Sequence, residues 1–131
     1  MTSPILDHVG LTVTDFVRSR DFYTAALGTL GIQLIAEFEV RGGRHAGYGI
    51  ERATFWIGDG KRTIGDAHVA FRAGSRSEVE SFYTVALSVG GRDNGPPGLR
   101  RHYSPDYYAA FVFDPDGHNI EAVYVGAEDG K

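Results

Sequence analysis

The stretch His8-Val9-Gly10-Leu11 is echoed sixty residues on by His68-Val69-Ala70-Phe71. The echo continues: Phe22-Tyr23-Thr24-Ala25-Ala26-Leu27 returns at the same offset as Phe82-Tyr83-Thr84-Val85-Ala86-Leu87. With no gap between the matches, chance is a poor explanation, and the halves read as one supersecondary unit used twice. A solenoid would need at least three copies. The expectation is a single pseudo-symmetric domain over residues 1–131, with one module over about 5–60 and a second over about 65–126.

Each copy opens with alternation of period two, the mark of a half-buried strand. Val9, Leu11 and Val13 point one way, and Leu6, His8, Gly10 and Thr12 the other. In the second copy Val69 and Phe71 form the apolar face, so both histidines fall on the more polar one. A helix follows, signalled by Thr14-Asp15 in the first copy and by the capping box Ser75-Arg76-Ser77-Glu78 in the second. Val79, Phe82, Tyr83, Ala86 and Val89 recur at helical spacing, and Gly28 with Gly31 and Gly90 with Gly91 are the stops. Strands are predicted over Gln33 to Val40, Tyr48 to Ile50, Ala53 to Ile57, Tyr107 to Phe113 and Asn119 to Val125. The fold class is therefore α+β, two β-α-β-β-β modules related by a pseudo-twofold, forming a curved mixed sheet around a cavity.

Two segments interrupt this order. Arg41 to Gly47 is glycine-rich and reads as a mobile loop, and Gly91 to Pro105, with its Asn94-Gly95-Pro96-Pro97-Gly98 core, reads as another; both are lid candidates. Asp114-Pro115-Asp116-Gly117 is a tight turn that makes a hairpin of the last two strands.

Composition narrows the function. The 131 residues, 42% hydrophobic and 23% charged, suit a globular domain with its own core. The net charge of −4, with scattered basic residues, argues against nucleic acid, and no apolar run is long enough for a membrane span. The N-terminus lacks a secretory signal pattern, so the expected location is cytoplasmic. Cysteine is absent, which leaves His, Asp and Glu as the available metal ligands.

The repeat gives those ligands a geometry. His8 and His68 occupy equivalent strands, each facing away from its helix, and in the last strand Glu121 shares a face with Asn119 and Val123, so it can enter the same cavity. Two imidazoles and a carboxylate suit a divalent transition metal, Fe, Mn, Zn or Ni, and suit calcium poorly.

Asp7-His8-Val9-Gly10-Leu11, its copy at His68-Val69-Ala70-Phe71, and the ending Phe113-Asp114-Pro115-Asp116-Gly117-His118-Asn119-Ile120-Glu121 together resemble the vicinal oxygen chelate superfamily, which includes glyoxalase I, extradiol dioxygenases, fosfomycin-resistance enzymes and bleomycin-resistance proteins. The resemblance spans nearly the whole chain and implies His8, His68 and Glu121 as metal ligands, with a homodimer as a common assembly. Glyoxalase I has a fourth, acidic ligand in its first half. The corresponding strand here, Ala53-Thr54-Phe55-Trp56-Ile57, has none, which argues against that activity. The resemblance implies a metal-dependent dioxygenase, lyase or isomerase acting on a small oxygen-rich or aromatic molecule. The alternative it carries is a metal-free drug-binding protein of the bleomycin-resistance type.

His102, Tyr103, Tyr107 and Tyr108 follow the proline-glycine loop closely, and His102, Tyr103 and Tyr107 are the candidates for proton transfer beside a metal-bound oxygen. Arg100 and Arg101 are either solvated or paired with an anionic substrate. His118 reads as a hairpin cap, His45 and Arg44 as surface, and Trp56 as core or as a flat wall for a ligand.

Overall fold

The computed structural model describes residues 5–127. The first half forms β1 (Val9–Val13), α1 (Phe16–Gly28), β2 (Gln33–Val40), β3 (Gly43–Gly49) and β4 (Ala53–Asp59). The second forms β5 (His68–Arg72), α2 (Arg76–Ser88), the two-residue strands β6 (Arg92–Asp93) and β7 (Gly98–Leu99), then β8 (Tyr107–Phe113) and β9 (Asn119–Val125). The sheets run β1-β4-β3-β2 and β5-β9-β8-β6, with β7 also on β8. In each the opening strand lies parallel to the closing one and the helix makes the crossover, so the sixty-residue echo becomes one α+β module built twice. The expected curved sheet is divided into two, and no closed barrel encloses the space between them.

Local chemistry sets the helix ends. Asp15 caps α1 by accepting from the Arg18 N–H at 3.2 Å, and Ser75 caps α2 by accepting from Glu78 at the same distance. The Glu78 carboxylate does not return to Ser75; it takes the N–H of Gly74 at 2.7 Å, one residue earlier. Phe22, Tyr23, Ala26 and Leu27 of α1 and Val79, Phe82 and Ala86 of α2 are buried in one apolar cluster with residues of both sheets. Phe55 meets Phe71 edge to face at 5.1 Å across the module junction. No helix among the described residues is long and apolar enough to cross a membrane.

Both lid candidates are ordered structure, which corrects their reading as mobile loops. Arg41 and Gly42 have φ of 52° and 81°, a two-residue turn that lets Gly43 to Gly49 pair with β2 along its whole length. Glycine there serves packing: a Cβ on Gly47 would lie 2.7 Å from the Trp56 ring. Gly91 to Pro105 is pinned to β8 through β6 and β7. The Asp114–Gly117 turn forms as expected, with Gly117 at φ 90°.

Candidate functional site

His68 and Glu121 are brought together by register. On β5, His68 and Ala70 pair with Asn119 and Glu121 of β9, which places imidazole and carboxylate on the sheet face opposite α2. His68 Nδ1 lies 3.2 Å from the Asn119 carbonyl oxygen, which orients the ring. Nε2 points at Glu121 Oε1, 2.9 Å away. Glu121 is 2% exposed. Its other oxygen accepts from the Tyr107 hydroxyl. Loss of solvent, reinforced by that bond to the carboxylate, pushes the Tyr107 phenol up to about 12, so it stays a donor throughout the neutral range.

An aromatic row extends outward from this pair. Tyr103 packs on Tyr107 at 4.9 Å, and His102 on Tyr103 at 4.2 Å, both at the exposed end. On the inner side Phe111 stacks on His68 at 6.1 Å. Tyr108, one residue past Tyr107, points to the helix side and donates to Glu80 at 2.6 Å.

His8 stands apart from the pair. It is exposed just before β1, and its Nδ1 donates to Asp7 Oδ1 at 2.7 Å. The His8 bond and the neighbouring Arg52 guanidinium hold Asp7 below the ordinary carboxylate range. His8 and His68 line one cleft of about 690 Å³ with Arg52, Thr54, Val69 and Arg72, within the size range of ligand pockets. Among the described residues no three of His, Asp or Glu converge tightly enough to hold a metal, so the chain joins His68 to Glu121 and leaves His8 across the cleft.

The remaining candidates separate by environment. His118 is buried, its Nδ1 2.8 Å from Asp114 and its Nε2 3.0 Å from the Thr63 carbonyl. His45 stacks on Phe38 at 5.4 Å, and Trp56 meets Phe38 at 5.5 Å, so Trp56 belongs to an aromatic wall on the first sheet's open face. Asp7 went unweighed in the sequence reading, although its place beside His8 was the available signal. Phe111 was missed as well, because only strand register brings it over His68.

These features can be set against known proteins. The glyoxalase/bleomycin resistance protein/dioxygenase superfamily model matches residues 5–122. A glyoxalase/bleomycin resistance protein from Albidiferax ferrireducens superposes with a TM-score of 0.75 at 29% identity, covering 94% of this chain and all of that one. A glyoxalase I mutant from Zea mays gives 0.70 at 22% identity over 89% of this chain, which spans only 45% of the maize protein. A mutant fosfomycin resistance protein from Listeria monocytogenes, solved with Mn(II) and a dihydroxypropylphosphonic acid, gives 0.63 at 20% identity, covering 94% and 90%. No curated protein matches. With a family model covering nearly the whole described chain and both modules superposing on solved members, the chain belongs to the glyoxalase/bleomycin resistance protein/dioxygenase superfamily.

Proposed function

We propose that the chain is a metal-dependent enzyme of the glyoxalase/dioxygenase type acting on a small oxygen-bearing or aromatic molecule, with His68, Glu121 and His8 as ligands. The observation that carries this reading is the facing pair: His68 Nε2 stands 2.9 Å from an oxygen of the buried Glu121 carboxylate. A divalent cation can replace the shared proton of such a pair, meeting a nitrogen and a carboxylate oxygen together. Nitrogen and carboxylate donors together fit Mn, Fe, Zn or Ni, and the Mn(II) in the Listeria relative is an ion of that class. His8 suits the same role, because Asp7 engages its Nδ1 and leaves Nε2 free. When bound, such an ion supplies Lewis acidity to a substrate oxygen.

The chain's own groups have separate tasks. Tyr107 holds the Glu121 carboxylate by donating to it, while His102 and Tyr103, exposed next to it, contact substrate and exchange protons with it. The working form in this reading is a homodimer. What supports it is that, among the described residues, β1 and β5 each pair along one edge only and that Leu6, 72% exposed, lies beside β1.

The test is metal uptake. Chelator-treated protein dialysed against Mn(II), Fe(II), Zn(II) or Ni(II) is expected to take up near one equivalent of at least one ion, and His68→Ala and Glu121→Gln to lose it. Wild-type protein that stays metal-free while binding planar aromatic compounds would instead establish the drug-binding alternative, whose support is the Phe38, His45 and Trp56 wall.

A further inference from the structure

The open face of the second sheet carries three arginines. Register places Arg72 on β5, Arg92 on β6 and Arg100, just after β7, on the same face as His68 and Glu121. None of the three has a carboxylate partner among the described residues, whereas Arg20, Arg44 and Arg52 of the first module all do. In a chain of net charge −4 this is a local excess of positive charge.

Arg100 differs from the other two because it is built in. It is half-buried, whereas Arg72 and Arg92 are exposed. Its Nη1 donates to the Gly98 carbonyl at 2.8 Å and its Nη2 to the Pro96 carbonyl at 2.7 Å. The guanidinium lies 5.3 Å over the Phe111 ring, whose own ring stacks on His68. The loop makes room by omitting side chains: a Cβ on Gly95 or on Gly98 would each come within 3.1 Å of a terminal guanidinium nitrogen. Of the five N–H groups of an arginine, the two carbonyls engage two. A half-buried cation fixed in position, with donors to spare and no counter-charge, is what an oxyanion completes.

We propose that Arg100 is an anion subsite on the open face of the second sheet and that the molecule bound there carries a carboxylate or phosphate group. This rests on the reading that the His68–Glu121 face is the functional site, and it names the substrate class that site takes. Phe111 links the two parts, since its ring stacks on His68 and lies under the Arg100 guanidinium.

The experiment is a titration of metal-free protein with inorganic phosphate, and separately with acetate, following the Arg100 Nε–H resonance by NMR. A saturable shift is expected in wild type. Arg100→Gln should weaken binding by about tenfold or more, Arg100→Lys should fall between because an ammonium lacks the planar fork, and Arg101→Gln should stay within about twofold. No saturable shift at Arg100, or equal weakening by Arg101→Gln, overturns the proposal. Since Arg100→Lys preserves charge and bulk, it serves if Arg100→Gln fails to fold. Metal uptake measured on the same variants separates the two readings. Oxyanion binding without metal uptake leaves this proposal standing and removes the metal, while metal uptake without oxyanion binding does the reverse.

Discussion

Tyr23 on α1 donates its hydroxyl to Asp114, ninety-one residues away, at 2.5 Å in the interior. That one carboxylate also accepts the N–H groups of Asp116 and His118, at 2.9 and 2.8 Å, and faces His118 Nδ1 at 2.8 Å. The opposite nitrogen of the ring reaches the Thr63 carbonyl, and Thr63 in turn bonds Thr12 at the end of β1. First module, linker and second module therefore share a polar joint whose centre, Tyr23, Asp114 and His118, is buried. Charge buried there is tolerated because every lone pair has a donor.

Removing the acceptor should cost far more than removing one donor. Asp114→Ala orphans the Tyr23 hydroxyl, the His118 ring and two backbone N–H groups, and is expected to destabilise the fold by about 3–5 kcal/mol. Tyr23→Phe keeps the ring in the core and should cost only about 1–2 kcal/mol. Urea unfolding of both variants decides the matter: equal losses would mean that Asp114 does not join the modules.

The backbone supplies a second contrast. A Cβ on Gly49 would stand 1.8 Å from the Arg52 carbonyl oxygen, a main-chain atom held at the β3–β4 bulge. On Gly10 the nearest atom would be 3.5 Å away, an ordinary contact. Gly49→Ala should thus lower the unfolding midpoint strongly, while Gly10→Ala, helped by a less flexible unfolded chain, should leave it near wild type. A Gly10→Ala variant as unstable as Gly49→Ala would show that the first sheet has no room on its open face.

Much of this was legible in the chain itself, for reasons that differ by element. Alternation at His8 to Val13 and at His68 to Phe71, and helical spacing from Val79 to Val89, are local patterns, and local patterns survive folding intact. Period-two counting put His68 and Glu121 on faces that could share a cavity, and the parallel pairing of β5 with β9 turns that parity into one shared face. Residues 41–47 were misjudged because glycines that make room for Trp56 look like glycines that loosen a loop. The separation of His8 from the pair was out of reach, since it depends on how two sheets are set against each other. Nor does a Pro-Asp-Gly turn reveal that the Asp before it is the buried acceptor for a tyrosine of the other module.

Alkali should unfold the protein over a defined range. Burial holds the Tyr48 phenol up to about 12, and Tyr107 reaches the same value, while phenols of the unfolded chain release their protons near 10. Between those limits the folded state binds more protons, so stability is fully present below pH 10 and falls as pH rises toward 12. Urea midpoints measured through this range should drop, and Tyr48→Phe should flatten the drop. An unchanged slope in that variant would place the titrating group elsewhere.

Tyr107 offers the sharpest test of the site, because its hydroxyl meets the buried Glu121 carboxylate and its ring meets Tyr103. Groups that hold a metal ligand from behind set its orientation and basicity, and losing one weakens metal binding by about ten- to a hundredfold. Tyr107→Phe keeps the ring stack and removes only the donor. Metal affinity should then fall by about tenfold, with the unfolding midpoint of metal-free protein shifting by about 1 kcal/mol or less. Tyr103→Phe is the control, since its ring, and no hydroxyl bond among the described residues, joins it to Tyr107; affinity there should be unchanged. A purely structural tyrosine would give the opposite pattern, with the midpoint lowered and affinity kept. If both variants bind metal as wild type does, Glu121 needs no help from Tyr107 to present its carboxylate.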